Sequence, residues 1–246
     1  MWEKTLIQPS LNREISVIIP VLNEAATIGT TLTPLKEAAN IEVIVVDGGS
    51  LDCTRDLAES LGAKVFEAPA GRARQMNAGA AAATGEILLF LHADTVLPQG
   101  FEVMVHQALL EPGVIAGAFA LRINANLRGL RLIETMTNWR SRFLQMPYGD
   151  QAIFLPAKVF RRLGGFQQIP LMEDFEFVQR LKRKGRIAIV PASVITSGRR
   201  WQKIGVLKTT LINQLIILAY FLGVPPTQLA HWYSSSKGKY SNSHLD

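Results

Sequence analysis

The chain reads as an α/β protein built on a mostly parallel central sheet flanked by helices, and three observations predict this. Short β-branched or apolar runs, "ISVIIP" (15–20), "EVIVVD" (42–47) and "ILLFL" (87–91), lack the polar alternation of a half-solvated strand. Helix-like stretches separate them, as right-handed crossovers between parallel strands require. Polar residues cluster where these strands end: Asn23 and Glu24, Asp47 and Gly49, His92 and Asp94. Ligands of open parallel sheets bind beyond the carboxyl ends of the strands.

Each element has a local reason. The stretch 23–40 places Ile28, Leu32 and Leu35 at helical spacing with Asn23 as N-cap, and Pro34 should shorten or kink the helix. Ser50 suits the N-cap of "LDCTRDLAESL", and Gly62 suits its stop. "KVFEA" (64–68) is a third strand, and "GRARQMNAGAAAATG" (71–85) is a loop running into an Ala-rich helix closed by Gly85. The second half is less regular. One or two strands are expected over 113–123, an amphipathic helix over 126–146, and loop, strand and short helix over 148–166. A helix over 172–185 has an acidic first turn and a basic last turn, as its macrodipole favours, and a further strand lies within 186–197.

With 246 residues, 48% of them hydrophobic, the chain can bury one large core. We expect a catalytic domain over 1–202 and a basic, apolar helical segment with a flexible tail over 203–246. Cys53 is the only cysteine, which excludes an internal disulfide and fits a reducing, cytoplasmic setting. The first twenty residues lack a basic stretch followed by an unbroken apolar one, so no signal peptide is expected. The net charge of +6 divides into −4 over 1–176 and +10 over 177–246, and no acid occurs from 177 to 245. Such a basic third suits phosphates or an anionic membrane. Nucleic acid is disfavoured, because the first 176 residues are acidic and aromatics do not interleave with the basic run.

Read singly, the candidate residues are ambiguous. Asp94 at a strand tip caps a turn or holds Mg²⁺ or Mn²⁺, ions that use one or two carboxylates together with substrate phosphates. Asp47 is suited to a base or ribose, with Gly48 and Gly49 letting a ligand approach the backbone. Arg72 and Arg74 suit a diphosphate. Glu173, Asp174 and Glu176 either complement a helix dipole or supply a general base. No dinucleotide fingerprint, P-loop or zinc spacing is present.

Their order is more specific. "ISVIIPVLNE", "VIVVDGGSLDCT", "GRARQMNAGAAAATGEILLFLHADT", "GDQAIF", "MEDFEF" and "GRRW" together resemble the inverting family 2 glycosyltransferases of the GT-A (Rossmann-like) fold, over roughly residues 14–201. The resemblance implies a nucleotide-sugar site formed by Pro20, Glu24, Asp47, Gly49, Arg72, Arg74, Asn77, Gly79 and His92. It implies Asp94 as the ligand of Mg²⁺ or Mn²⁺, with His92 in place of the first Asp of the family's D-x-D. It implies Asp174 as the catalytic base, and Asp150, Gln151, Glu173, Arg200 and Trp201 around the donor sugar and acceptor. The implied reaction moves a sugar, from a UDP-sugar in the first instance, to a hydroxyl or carboxyl acceptor with inversion. A non-catalytic nucleotide-binding regulatory module and a nucleotidyltransferase are the alternatives. The latter usually carries a Gly-rich basic loop after its first strand, where this chain has "VLNEAAT".

The stretch 204–226 is apolar but too interrupted to span a bilayer. It either lies in the plane of an anionic membrane, on the inner face of the cell membrane, or packs on the catalytic domain. A lipid-linked or isoprenoid acceptor agrees with the first.

Overall fold

The computed structural model describes residues 14–238. Eight strands form one mixed sheet: β1 (Ile15–Val21), β2 (Ile41–Asp47), β3 (Lys64–Glu67), β4 (Ile87–Phe90), β5 (Thr95–Val96), β6 (Val114–Asn124), β7 (Phe154–Pro156) and β8 (Arg186–Ser197), in the order β3-β2-β1-β4-β7-β6-β8-β5. The expected strands β1, β2, β3 and β4 pair in parallel. β7 is inserted antiparallel to both β4 and β6, while β6 and β8 run parallel and β5 pairs antiparallel with β8. The segment 113–123 is one long strand whose pairing with β8 shifts register between Phe119 and Ala120.

Ten helices cover this sheet among the described residues. They are α1 (Ala25–Leu32), α2 (Thr54–Ser60), α3 (Arg72–Ala82), α4 (Phe101–Leu110), α5 (Leu130–Leu144), α6 (Ala157–Arg162), α7 (Glu173–Lys182), α8 (Arg199–Ile204), α9 (Val206–Phe221) and α10 (Pro226–Gly238). Side chains of β1 and β4 alternate between two cores, which is why their sequences carry no polar face. Ile15, Val17, Ile19, Ile87 and Leu89 meet α1, α2 and α4 on one side, whereas Ile18, Leu88 and Phe90 meet α3, α6 and α7 on the other. Helix α3 comes close to the sheet at Gly79, where a Cβ would fall 2.5 Å from Ile18 Cγ2.

Several starts and stops differ from expectation. Pro34 does shorten α1, which ends at Leu32 and passes into a 3₁₀ turn over Thr33–Glu37. Asn23 is not the cap of α1; it adopts φ 55° and its Oδ1 accepts from Leu51 N–H. Ser50 does not cap α2, because its hydroxyl bonds Asp47, and the helix begins only at Thr54. The Ala-rich helix begins earlier than expected: α3 starts at Arg72, so Arg72, Arg74 and Asn77 lie in the helix and the loop before it is confined to 68–71. Helix α8 runs across the boundary expected between 202 and 203, and the following segment is seated on the domain through Thr209, Ile216 and Leu229. Helix α10 extends to Gly238, into the Ser-rich stretch expected to be flexible; residues 239–246 of that stretch lie outside the described residues.

Candidate functional site

The carboxyl ends of β1, β2 and β4 form a connected polar edge. Asp47 is buried, and its carboxylate accepts from the N–H groups of Gly49 and Ser50 at 2.9 Å each and from the Ser50 hydroxyl. Its oxygens therefore shape the Gly49 turn, whose φ of 97° favours glycine. Gln75 of α3 sits behind this edge and donates to Val21 O at 2.7 Å and Val46 O at 2.8 Å, tying β1 to β2. Nothing in the sequence pattern distinguished Gln75 from a surface residue. Pro20 occupies β1 itself, opposite Val46.

A cavity of about 640 Å³ opens beside this edge. Its lining brings together Arg72, His92, Asp94, Asp150, Glu173, Asp174, Arg200 and Trp201 from the expected set. Arg199 and Tyr148 join them, and α9 contributes Thr209, Asn213, Ile216 and Ile217. Pro20, Glu24, Asp47 and Gly49, on the adjoining edge, and Arg74, Asn77, Gly79 and Gln151 do not line it. Asn77 instead clasps Phe166 through both its backbone groups, at 2.8 and 2.9 Å. Gly79 is a packing residue, as noted, and Arg74 is exposed on α3. Gln151 is fully buried behind the site, where it donates to Phe119 O at 2.9 Å and accepts from Ser141 and the Tyr148 N–H.

Electrostatics divide the cavity in two. At the strand tip, Arg199 Nη2 donates to Asp94 Oδ2 at 3.2 Å and to Glu24 Oε2 at 2.9 Å. Burial works against the Arg199 charge, but these two carboxylates outweigh it and raise its pKa. On the α7 side, Gly149 N–H donates to Asp174 Oδ2 at 2.6 Å. A Cβ on Gly149 would fall 2.8 Å from that oxygen and 3.2 Å from His92 Nε2, so a bare backbone is needed here. Arg72 pairs with Glu173 at 3.4 Å. Burial raises the Glu173 carboxyl, with the Asp174 charge adding and Arg72 opposing. Burial and the Arg72 charge push His92 down to about 3, so its imidazole is neutral at physiological pH. Burial lifts Asp150 to about 6 against the pull of Arg140. Arg140 itself, on the inner face of α5, lies 3.4 Å over the Tyr148 ring. Its role was missed because one of four arginines along the amphipathic helix expected over 126–146 reads as solvated. Arg200 rests on Tyr233 of α10 and bonds its hydroxyl, while its Nε and Nη2 and Thr209 Oγ1 are buried without hydrogen-bond partners.

Known proteins share this framework. The chain is 36% identical over 98 residues to a glucosyl-3-phosphoglycerate synthase of Mycolicibacterium smegmatis, covering 35% of this chain and 32% of that one. It is 37% identical over 92 residues to an uncharacterized glycosyltransferase of Nostoc sp., covering 34% and 29%. The matched stretches are thus about a third of these relatives' lengths. In fold, it resembles a mannosyltransferase of Pyrobaculum calidifontis solved with GDP-Man and Mn²⁺, with a TM-score of 0.61 at 24% identity over 78% of this chain and 59% of that one. It also resembles the glucosyl-3-phosphoglycerate synthase of Mycobacterium tuberculosis solved with Mn²⁺, UDP and glucosyl-3-phosphoglycerate, with a TM-score of 0.59 at 21% identity over 92% and 88%. These structural likenesses establish a GT-A architecture. The model of glycosyl transferase family 2 matches residues 16–165, which hold β1 to β4, the strand-tip His92 and Asp94, and Gly149; with more than half of its length so matched, the chain belongs to that family.

Proposed function

We propose that the chain is an inverting glycosyltransferase that takes a sugar from a nucleotide sugar, in the first instance a UDP-sugar, and passes it to an acceptor hydroxyl or carboxyl. The observation that carries this is a cavity holding Asp174, fixed by the Gly149 N–H, together with Asp94 at the strand tip. Asp174 removes the acceptor proton, and the acceptor oxygen bonds to the anomeric carbon as its bond to the diphosphate breaks. The configuration inverts and a nucleoside diphosphate leaves. Arg72 and Arg199 are placed to bind diphosphate oxygens, and Asp150, Glu173, Arg200 and Trp201 surround the acceptor side. Asp47 holds the turn on which the nucleoside would lie.

The residues fit a divalent cation. Asp94 and Glu24 aim oxygens at one point, now held by a positively charged nitrogen of Arg199. No group of three His, Cys, Asp or Glu residues that could hold a metal exists among the described residues. That is the donor set of an ion shared with a diphosphate rather than caged by protein. Mg²⁺ or Mn²⁺ bound by Asp94 would neutralise charge on the leaving diphosphate.

We place the acceptor among lipid-linked or isoprenoid alcohols and acids, because Ile204, Ile216 and Ile217 give one wall of the cavity an apolar character. A lipid-borne acceptor asks for peripheral contact with the inner face of a membrane.

The test is thermal stability with UDP- and GDP-sugars, with and without Mn²⁺. A ligand at 100 times its dissociation constant adds about 2.7 kcal/mol. A Mn²⁺-dependent shift that Asp94→Ala abolishes is expected. No shift with any nucleotide sugar would sink the reading.

A further inference from the structure

Helix α5 is built inside out. Its inward positions are polar: Glu134 Oε1 accepts from Ile123 N–H at 2.6 Å, Asn138 bonds both backbone groups of Leu121, and Ser141 donates to Gln151. Its outward positions Leu132, Met136, Trp139 and Phe143 recur at helical spacing and are 57–65% exposed, with Trp139 and Phe143 stacked at 5.3 Å. Helix α9 repeats the pattern. Thr209 and Ile216 face the domain, and Leu207, Leu211, Leu215 and Leu218 face outward with half or more of their surface exposed.

The two helices are neighbours. At their starts, Val206 Cγ1 lies 3.9 Å from the Cβ position of Gly129. At their ends, the Phe175 ring lies 6.1 Å from Tyr148, just past α5, and 5.4 Å from Phe221 of α9. Two exposed apolar stripes on helices that meet at their starts and are bridged at their ends by Phe175 mark an interaction site.

We infer that these two stripes form a platform that lies on an anionic lipid bilayer. Charge selects the occupant. Arg128 just before α5, Arg142 in α5 and Lys208 in α9 are exposed, the one acid of α5 is buried, and the sequence has no acid from 177 to 245. Acidic headgroups complement that rim. A second copy fits poorly, because a two-fold interface would set the same cations against each other. The helices lie in the interface and do not cross it: at 1.5 Å per residue the 16 residues of α9 span roughly 24 Å, and no helix among the described residues is long and apolar enough to traverse a bilayer. The same helix α9 lines the cavity from its other side with Thr209, Asn213, Ile216 and Ile217. The assignment stands on the surface itself and not on sugar transfer.

The test is flotation of the full chain with phosphatidylcholine vesicles, with and without phosphatidylglycerol. Co-flotation is expected with the anionic vesicles, weaker with phosphatidylcholine alone and reduced by salt. The pairs Trp139→Glu with Phe143→Glu and Leu211→Glu with Leu215→Glu should each cut the bound fraction roughly tenfold or more, with thermal melting unchanged because all four sites are exposed. Trp139 fluorescence should be quenched by brominated lipid. Absence of flotation, or flotation that both pairs leave intact, overturns the inference. So does a dimer in lipid-free sedimentation that the same pairs dissociate, which assigns the surface to a second copy. Nucleotide binding, measured separately, is expected to be the same in all variants, so failure of the platform and failure of the transferase reading are distinguishable.

Discussion

Arg199 Nη2 sits 3.2 Å from Asp94 Oδ2, and the same nitrogen reaches Glu24 Oε2 at 2.9 Å. One guanidinium thus occupies the point at which two strand-end carboxylates converge, and a divalent cation bound by Asp94, as proposed, would share or take that place. The pairs are well solvated, so each contributes at most about 1 kcal/mol and can be exchanged at little cost. Arg199→Ala should leave the melting temperature nearly unchanged. It should strengthen Mn²⁺ binding without nucleotide by roughly threefold to tenfold, by removing a competing charge. It should weaken nucleoside diphosphate binding by about tenfold, by removing a charge-assisted donor. Mn²⁺ paramagnetic resonance and calorimetry read both, and unchanged Mn²⁺ affinity would show that the arginine and the cation use different places.

The Gly149 N–H and Asp174 act as one unit. Asp174→Asn removes the proposed base and should lower kcat by about 10²- to 10⁴-fold while sparing donor affinity. Gly149→Ala leaves Asp174 in place but puts a methyl 2.8 Å from its Oδ2, so the carboxylate must move. A misplacement of about 1 Å can cost 100-fold. The double variant should be little worse than Asp174→Asn alone, because groups that act together do not lose activity additively. Single-turnover rates with prebound donor decide this, and strictly multiplicative losses would dissociate the two.

The first half of the sheet was legible because β1, β2 and β4 are apolar on both faces, and only a doubly covered sheet needs that. Helix starts were less legible, since capping groups had other partners: Ser50 was drawn to Asp47, and Asn23 to Leu51. The strand within 148–166 was legible as β7, but its antiparallel insertion between β4 and β6 was not, because three residues carry no pattern that sets direction. Periodicity announces that α5 has two faces but not which is inside. That is why Arg140 was passed over and why the outward stripe needed the structure. The strand-tip residues were findable because parallel sheets collect chemistry at one edge; Gln75, Tyr148 and Tyr233 carry no comparable signal.

Asp150 should make the protein less stable as pH rises. Burial lifts its folded pKa from the ordinary 3.8 to about 6. The protonated form is favoured in the folded state, so stability is greatest below 3.8 and declines as pH climbs through about 6. Asp150→Asn mimics the neutral form, and it should stabilise at pH 7 by on the order of 2 kcal/mol. The variant should also lose a step near pH 6 in its kcat/KM profile. Urea unfolding at several pH values reads the first effect, and an unchanged slope between pH 4 and pH 6 would remove Asp150 as its cause.

Glu42 should do the opposite in the adjoining window. Burial alone would raise its pKa, but Ser16, the backbone and hydroxyl of Thr84, and Lys64 all donate to it, and together they hold it at about 2 instead of the usual 4.5. The charged form is therefore favoured by folding. Its contribution is complete above pH 4.5 and is lost as pH falls through 2, about 3 kcal/mol at most. Glu42→Gln keeps an acceptor for Ser16 but gives up the charge on a carboxylate that ties β2 to the turn before β4. Stability at neutral pH should fall by about 1–3 kcal/mol. The acid slope between pH 2 and pH 4.5 should flatten in the same variant. Because Asp150 loses stability with rising pH and Glu42 gains it, the double variant should show a weaker dependence than either single one. A Glu42→Gln protein with the parent's acid slope would mean that other carboxylates govern acid unfolding.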